Sequence, residues 1–115
     1  MFGRGNYGKA VSLYKENLLL SYELKDHWGF AWGMERLAEA AEKLGQPEQS
    51  ARLWAAADAL RRVSGVLWHP GFHSYYTEQR FAALRATLGQ ARWEELWLDG
   101  QALPAEKVVA IALGV

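Results

Sequence analysis

Apolar side chains recur along this chain with the spacing of amphipathic helices, and no segment alternates apolar and polar residues as a strand would. Asp26 is the expected N-cap of the second helix, and Gly45 its left-handed C-terminal residue. The pattern predicts an all-α fold of about six helices and no sheet. The helices are expected at about residues 7–24, 27–44, 47–64, 74–88, 91–99 and 104–112.

Two helix starts are similar to each other, GNYGKAVSLY from Gly5 and GQPEQSARLW from Gly45. Each has a glycine corner, then a small residue five positions later and an aromatic residue four positions after that. The paired positions are Ala10 with Ser50 and Tyr14 with Trp54. A small residue lets two helices approach closely, and an aromatic residue fills the groove against the next pair, so the pattern indicates an internal repeat.

The stretch Gly5-Asn6-Tyr7-x-x-Ala10 resembles the opening of the second helix of a tetratricopeptide repeat, G-[DN]-Y-x-x-A. Pro47 and Ser50 replace two of these residues in the second copy, and the spacing of the copies exceeds the ~34 residues of the standard repeat. The resemblance implies antiparallel helical hairpins that stack as a short right-handed solenoid.

The stretches GQPEQSARLWAAADALR and RFAALRATLGQARWEELWLDGQALPAEKVVAIAL extend the similarity. They resemble the helical C-terminal region of large LuxR-type and related regulatory ATPases, in which tetratricopeptide-like repeats sense a ligand or a partner. The resemblance implies a bacterial signalling or transcription-regulatory setting. The chain shows neither the ATPase domain nor the DNA-reading helices of that family, so neither activity is expected of it.

We expect a single domain over residues 1–115, with repeat-like helices in 1–64 and C-terminal helices in 74–115. Between them, residues 65–73 read GVLWHPGFH. Pro70-Gly71 breaks any helix there, while the apolar neighbours are unsuited to a free linker, so a loop packed down by its own side chains is expected.

The stretch GRGNYGKAV has the Gly3-x-x-x-x-Gly8-Lys9 spacing of a phosphate-binding P-loop. Such a loop needs a preceding buried strand and a Ser or Thr after the lysine to reach magnesium. Ala10 occupies that position, and no strand is predicted. The stretch is therefore interpreted as the corner of a helical repeat, and no cofactor is expected.

Thirteen basic and thirteen acidic side chains cancel, and there is no cysteine. Without a basic excess we expect no direct nucleic-acid partner. No apolar run reaches the ~18 residues of a membrane span, so a cytoplasmic protein with no membrane partner is expected. His69 and His73 flank Pro70-Gly71 and adjoin no acidic residue, so no metal site is expected. No catalytic constellation is visible, and the chain is not expected to be an enzyme.

Trp54, Trp93 and Trp97 lie on apolar stripes and are expected in the core. For the other aromatic residues two interpretations stay open, burial in the core or exposure on a binding surface. The leading hypothesis is a protein-protein interaction module that docks a peptide or a helix through aromatic anchors. The alternative is a small-molecule sensor with an aromatic pocket near residues 65–76. The candidate binding residues are Trp28, Trp32, Trp68, His69, Tyr75 and Tyr76.

The first helix has apolar residues on two faces, one with Tyr7, Val11, Tyr14 and Leu18, the other with Leu13, Leu20 and Leu24. In a tetratricopeptide-like pair this helix would be the second, so one of these faces should lack a cover. A homodimer with the first helix at its centre is therefore predicted. The candidate interface residues are Tyr7, Val11, Leu13, Tyr14 and Leu18.

Overall fold

In the computed structural model, the structure describes the backbone of residues 4–64 and 77–115 and the side chains of 8–63 and 77–115. These residues form six α-helices and no strand, which confirms the all-α prediction for this part of the chain. The loop expected at 65–73 lies outside the described residues. The helices are α1 (Arg4–Glu23), α2 (His27–Lys43), α3 (Pro47–Ser64), α4 (Glu78–Leu88), α5 (Gln90–Gln101) and α6 (Ala105–Leu113).

The predicted helix boundaries around α2 are confirmed. The Asp26 carboxylate accepts the backbone N–H of Gly29 at 3.1 Å and so caps the first turn of α2. After α2, Gly45 has a φ of +77°, and Gly89 between α4 and α5 has a φ of +87°. Both angles lie in the left-handed region, which glycine enters without strain.

Helix α3 lies at the centre of the packing. It contacts α2 on one side and α4, α5 and α6 elsewhere on its circumference. Helix α1 packs on α2, and α6 contacts α1, α2 and α3. The last helix therefore crosses the first three helices.

Small residues let the neighbouring helices approach α3 closely. Ser50 is fully buried, and its Oγ donates a hydrogen bond to the carbonyl oxygen of Ala38 on α2 at 2.6 Å. Gly100 on α5 was expected to end its helix, but α5 continues through Gln101 and Gly100 is buried against α3. A Cβ atom at Gly100 would lie 2.5 Å from the carbonyl oxygen of Arg52. This glycine is thus needed for the close approach of two helices rather than for a corner.

Four aromatic rings join α3 to α4 and α5. Phe81 lies edge-on against Trp54 with ring centroids 5.5 Å apart, and it also contacts Trp93 and Trp97 at 5.5 and 5.3 Å. Trp54 is completely buried, and only 7% of the surface of Trp93 is exposed. The prediction that these tryptophans belong to the core is confirmed.

A buried ion pair joins α2 and α3. Arg61 Nε and Nη2 donate to the two carboxylate oxygens of Glu35 at 2.7 and 2.8 Å, with side-chain exposures of only 7% and 2%. Burial raises the pKa of Glu35, although the hydrogen bonds and the charge of Arg61 act in the opposite direction. The cost of removing the carboxylate from water thus exceeds the gain from its attraction to Arg61, so the pair adds little net stability. It nevertheless disfavours any register of α2 on α3 in which the two charges are buried apart.

We expect Gly100→Ala to destabilise the protein by about 1 to 3 kcal/mol, because the added methyl group would force α5 away from the backbone of α3. Gly8→Ala is the matched control, since a Cβ atom at this position in α1 meets nothing within 4 Å. It should stabilise the protein by about 0.5 to 1 kcal/mol through helix propensity. Urea unfolding of the two variants measures both effects, and equal effects of the same sign would contradict the packing of α5 on α3.

We expect Arg61→Met to cost about 3 to 5 kcal/mol, because it leaves the Glu35 carboxylate buried without its counter-ion. The double variant Glu35→Leu/Arg61→Met should recover most of this loss. Arg62→Met is the control, because Arg62 pairs with Asp58 at the surface. This variant should lose no more than about 1 kcal/mol of stability.

The loss in Arg61→Met should grow as the pH rises from about 4 to 7. Burial raises the pKa of Glu35 and Arg61 lowers it, so the removal of Arg61 raises the pKa of Glu35 in the folded protein further. A carboxyl group whose pKa is raised on folding loses its stabilising contribution as the pH rises through that pKa, so the variant loses more stability than the parent protein does. Unfolding curves at several pH values measure this slope. A loss in Arg61→Met that did not change with pH would show that Glu35 stays solvated.

Candidate functional site

The outer face of α1, together with the first residue after it, carries an exposed row of leucines, called here the leucine stripe. It consists of Leu13, Leu20 and Leu24, with 59%, 57% and 68% of their surfaces exposed. On the opposite face, Val11 and Leu18 are buried with exposures of 8% and 0%. Helix α2 therefore covers the face of α1 that carries Val11 and Leu18. The leucine stripe is the face that no described residue covers.

The residues predicted for a dimer interface are divided between these two faces. Val11 and Leu18 belong to the core, and half-buried Tyr14 packs edge-on against Trp32 of α2, with ring centroids 5.7 Å apart. Leu13 lies on the leucine stripe. The side chain of Tyr7 lies outside those described. The homodimer itself stays a prediction, and Leu13 is the candidate residue available for it.

The sequence similarity between the two helix starts allows the leucine stripe to be compared with the core. The shift of 40 that aligns Gly5 with Gly45 also aligns Leu13 with Leu53 and Leu20 with Leu60. Leu53 is 1% exposed and Leu60 half-buried, so positions that are exposed in α1 are covered in α3.

The aromatic residues of the two copies also have matching surroundings. Tyr14 meets Trp32 at an interplanar angle of 79°, and Trp54 meets Phe81 at the same angle. In both copies the partner ring belongs to a helix later in the chain. The two copies are therefore alike where they contact a later helix, and they differ at the leucine positions, which are covered in α3 alone.

The aromatic candidates are only partly within the described residues. Trp28 is 58% exposed at the start of α2, whereas Trp32 is half-buried against Tyr14 and has the Arg36 guanidinium 5.9 Å from its ring centroid. The pair therefore does not form a continuous exposed surface. Trp68, His69, Tyr75 and Tyr76 lie outside the described residues, and so does the pocket expected at 65–76.

A cleft lies between α6 and helices α1 to α3. It has two lobes of about 230 and 140 Å³, which share Phe30, Leu60 and Ala105. The larger lobe is lined by Met34 and Leu60 and by other apolar side chains. Its remaining lining residues are Ala56, Ala59, Val63, Gly100, Gln101, Leu103 and Val108.

The surface of the smaller lobe is mostly apolar, although four of its lining residues carry a polar group. Ser21 and Tyr22 from α1 meet Lys25 and His27 from the following corner. Asp26 lies between these last two residues, but its carboxylate caps α2 by accepting the N–H of Gly29. Among the described residues, the lining of the two lobes contains one lysine and no carboxylate.

Sequence reasoning did not identify this cleft. The side chains of its lining come from α1, α2, α3, α5 and α6, and only the path of α6 across the first three helices brings them together. The sequence carries no signal for the cleft, since the left-handed corner at Lys25, with a φ of +57°, contains no glycine and only the fold relates that corner to α6.

The charges between α3 and α5 form pairs rather than a free charged patch. Arg52 Nε lies 2.8 Å from Asp99 Oδ2, and Arg92 Nε lies 2.9 Å from Glu48 Oε2. The hydrogen bond from Arg92 lowers the pKa of Glu48 below its usual value. These pairs have a structural role in the packing of α5 on α3.

The part of the chain that the structure describes contains neither a group of metal-ligating side chains nor a membrane-spanning helix. These residues contain no group of three His, Cys, Asp or Glu side chains that could hold a metal ion. None of the described helices combines the length and the apolar character that a membrane crossing requires.

The chain is similar to three curated proteins whose names describe them as HTH-type transcriptional regulators, one from Mycobacterium bovis and two from strains of Mycobacterium tuberculosis. Each is 32% identical over 94 residues, which is 78% of this chain but 10% of the relative. The chain thus spans about a tenth of the length of these relatives. No family model matches it, and no solved structure matches it.

These names correct one expectation. The balanced charge of the chain had predicted no direct nucleic-acid partner. The helix-turn-helix, abbreviated HTH, is a DNA-binding motif, so the relatives are named as DNA-binding regulators and that expectation is wrong. The reason is that the charge balance of one helical segment does not report on what a protein of this class binds. The expected transcription-regulatory setting agrees with the similarity.

Proposed function

We propose that this chain is a non-enzymatic, tetratricopeptide-like interaction module of a bacterial HTH-type transcriptional regulator in the cytoplasm, and that it docks a partner helix on the leucine stripe. The observation that carries the proposal is that Leu13 is exposed, whereas Leu53, the residue at the equivalent position of the second helix start, is buried in the core. In such a regulator the DNA is bound through the helix-turn-helix, and the module would bring a partner to it.

The partner is a helix with the surface chemistry of α2. Helix α2 packs on α3, and its buried residues are mostly apolar or small, including Leu37, Ala38 and Ala41, each fully buried. Small residues permit the short helix separation seen at Ser50 and Ala38. A helix of the same kind on α1 would bury the exposed parts of the stripe, at roughly 1 to 2 kcal/mol for each leucine.

An extended chain tests this proposal. A copy of residues 27–46 placed directly before Tyr7, in place of residues 1–6, would join α1 as α2 joins α3. We expect the added segment to fold onto the leucine stripe. Leu13→Glu should then destabilise the extended chain by at least about 2 kcal/mol, because a charge enters a buried contact. The same substitution should change the original chain by no more than about 0.5 kcal/mol. Urea unfolding measures all four proteins.

Ser12→Glu is the control, since Ser12 is exposed on α1 beside the stripe, and it should have the same small effect in both chains. Equal effects of Leu13→Glu in the original and the extended chain would overturn the proposed docking face. Sedimentation of the original chain shows whether a second copy of the chain is the partner on the stripe. In that case the original chain is a dimer and the Leu13→Glu variant is a monomer.

A second candidate function, small-molecule sensing, is favoured by the cleft beneath α6. A ligand that binds only the folded state raises the melting temperature with its concentration. Melting curves with small amphiphilic compounds therefore test this function directly, and no stabilisation by any of them would argue against it.

A further inference from the structure

We propose that the cleft beneath α6 binds an uncharged apolar compound, with a ring in the larger lobe and a short alkyl chain in the smaller lobe. The inference rests on the second candidate function, ligand sensing, and specifies the chemical class of the ligand. It is independent of the leucine stripe, which shares no residue with the lining of the cleft.

The larger lobe offers a polar ligand no free hydrogen-bonding side chain in its described lining. Gln101 is the single residue with a polar side chain there. The Gln101 Nε2 already donates to the carbonyl oxygen of Ala55 at 2.8 Å and to Asp58 Oδ2 at 3.0 Å, and its Oε1 accepts from Arg62. A polar ligand group placed in this lobe would lose its hydrogen bonds to water without replacement.

The smaller lobe continues this apolar surface. Tyr22 contributes an aromatic ring that packs against Phe30, with ring centroids 5.5 Å apart. The Ser21 hydroxyl lies against α2, because a Cβ atom at Gly29 would be only 2.4 Å from its Oγ. A ligand chain in this lobe therefore meets mainly carbon atoms.

The charges beside the smaller lobe do not favour a ligand of either sign. Lys25 adjoins the acidic Asp26 in the chain, so a positive and a negative side chain occur at the same corner. Both residues are exposed, and water and salt weaken the attraction of such charges for an ion. An ionised ligand would give up its own hydration on entering the cleft without gaining a buried counter-ion. An uncharged compound avoids this cost.

The sizes of the two lobes set the size of the ligand. A cavity of ~150 Å³ lined by apolar side chains holds a benzene molecule. The larger lobe measures about 230 Å³ and the smaller about 140 Å³, and both are lined by Phe30, Leu60 and Ala105. A benzene ring therefore fits the larger lobe and leaves room for an alkyl chain, which passes these three residues into the smaller lobe.

The roof of the cleft is held by apolar contacts. Val108 and Ala112 of α6 are buried, at 3% and 0% exposure. Among the described residues, no side chain of 103–115 takes part in a hydrogen bond or an ion pair with the other helices. Movement of α6 therefore breaks no polar side-chain contact. An apolar ligand between α6 and α3 would add dispersion contacts to both helices.

Calorimetry with alkylbenzenes tests the size and the charge of the ligand. From toluene through ethylbenzene to propylbenzene, each added methylene should tighten binding about fourfold, because each enters an apolar lobe. Phenylpropanoate and phenylpropylammonium carry a charge at the end of a similar chain, and each should bind at least about tenfold more weakly than propylbenzene. The methyl resonances of Met34 and Leu60 should shift on addition of propylbenzene, which places it in the cleft.

Four variants locate the ligand within the cleft. Ala59→Leu fills part of the larger lobe and should weaken binding of toluene and propylbenzene at least about fivefold. Ala105→Leu narrows the passage between the lobes and should weaken propylbenzene more than toluene. Ala110→Leu is the matched control, because Ala110 is exposed on α6 and lines neither lobe. Lys25→Gln should leave both affinities unchanged, since no charge on the ligand is bound there.

The outcomes separate the inference from the function on which it rests. Binding of phenylpropanoate or phenylpropylammonium as tightly as propylbenzene, with methyl shifts at Met34, would overturn the assignment to an uncharged ligand while ligand binding itself stands. The absence of binding by charged and uncharged compounds alike would overturn the ligand cleft. Shifts restricted to Leu13 and Leu20 would overturn it too, since the compounds would then be on the leucine stripe.

Discussion

The close approach of other helices to α3 is the constraint on which the rest of the structure depends. This helix contacts α2, α4, α5 and α6, so most of its circumference must accommodate a neighbouring helix. Ser50 meets the backbone of α2 through a hydrogen bond, and Gly100 of α5 lies against the Arg52 carbonyl. Larger side chains at these positions would separate the helices and open voids in the core. The run of alanines from Ala55 to Ala57 satisfies the same constraint.

Two further features determine which arrangement these close contacts stabilise. The ring cluster around Phe81 supplies much of the apolar contact that attaches α4 and α5 to α3. The pair of Arg61 and Glu35 supplies little net stability, because removal of the carboxylate from water offsets its attraction to the guanidinium. A shift of α2 along α3 would nevertheless leave both charges buried and apart. The aromatic rings thus stabilise the assembly, and the ion pair makes one register preferable to the others.

Helix α1 takes part in both candidate surfaces. Its leucine stripe faces outward, while Ser21 and Tyr22 near its C-terminal end line the smaller lobe of the cleft. Helix α6 contacts α1 as well as α2 and α3, and forms the roof of that cleft. An occupant of the cleft and a partner on the stripe would therefore contact the same rigid element, which is a simple physical route by which the two could influence each other.

Within the described residues, the sequence alone determined the number of helices, their approximate bounds and most of their corners, because these depend on local chemistry. Apolar residues at helical spacing, the carboxylate of Asp26 and the left-handed glycines at 45 and 89 act over a few neighbouring residues. Only the tertiary structure decided which face of α1 is covered, that Gly100 serves packing, and that α6 roofs a cleft. Those outcomes depend on which distant helices meet, and two apolar faces on one helix have the same periodicity whichever of them is buried.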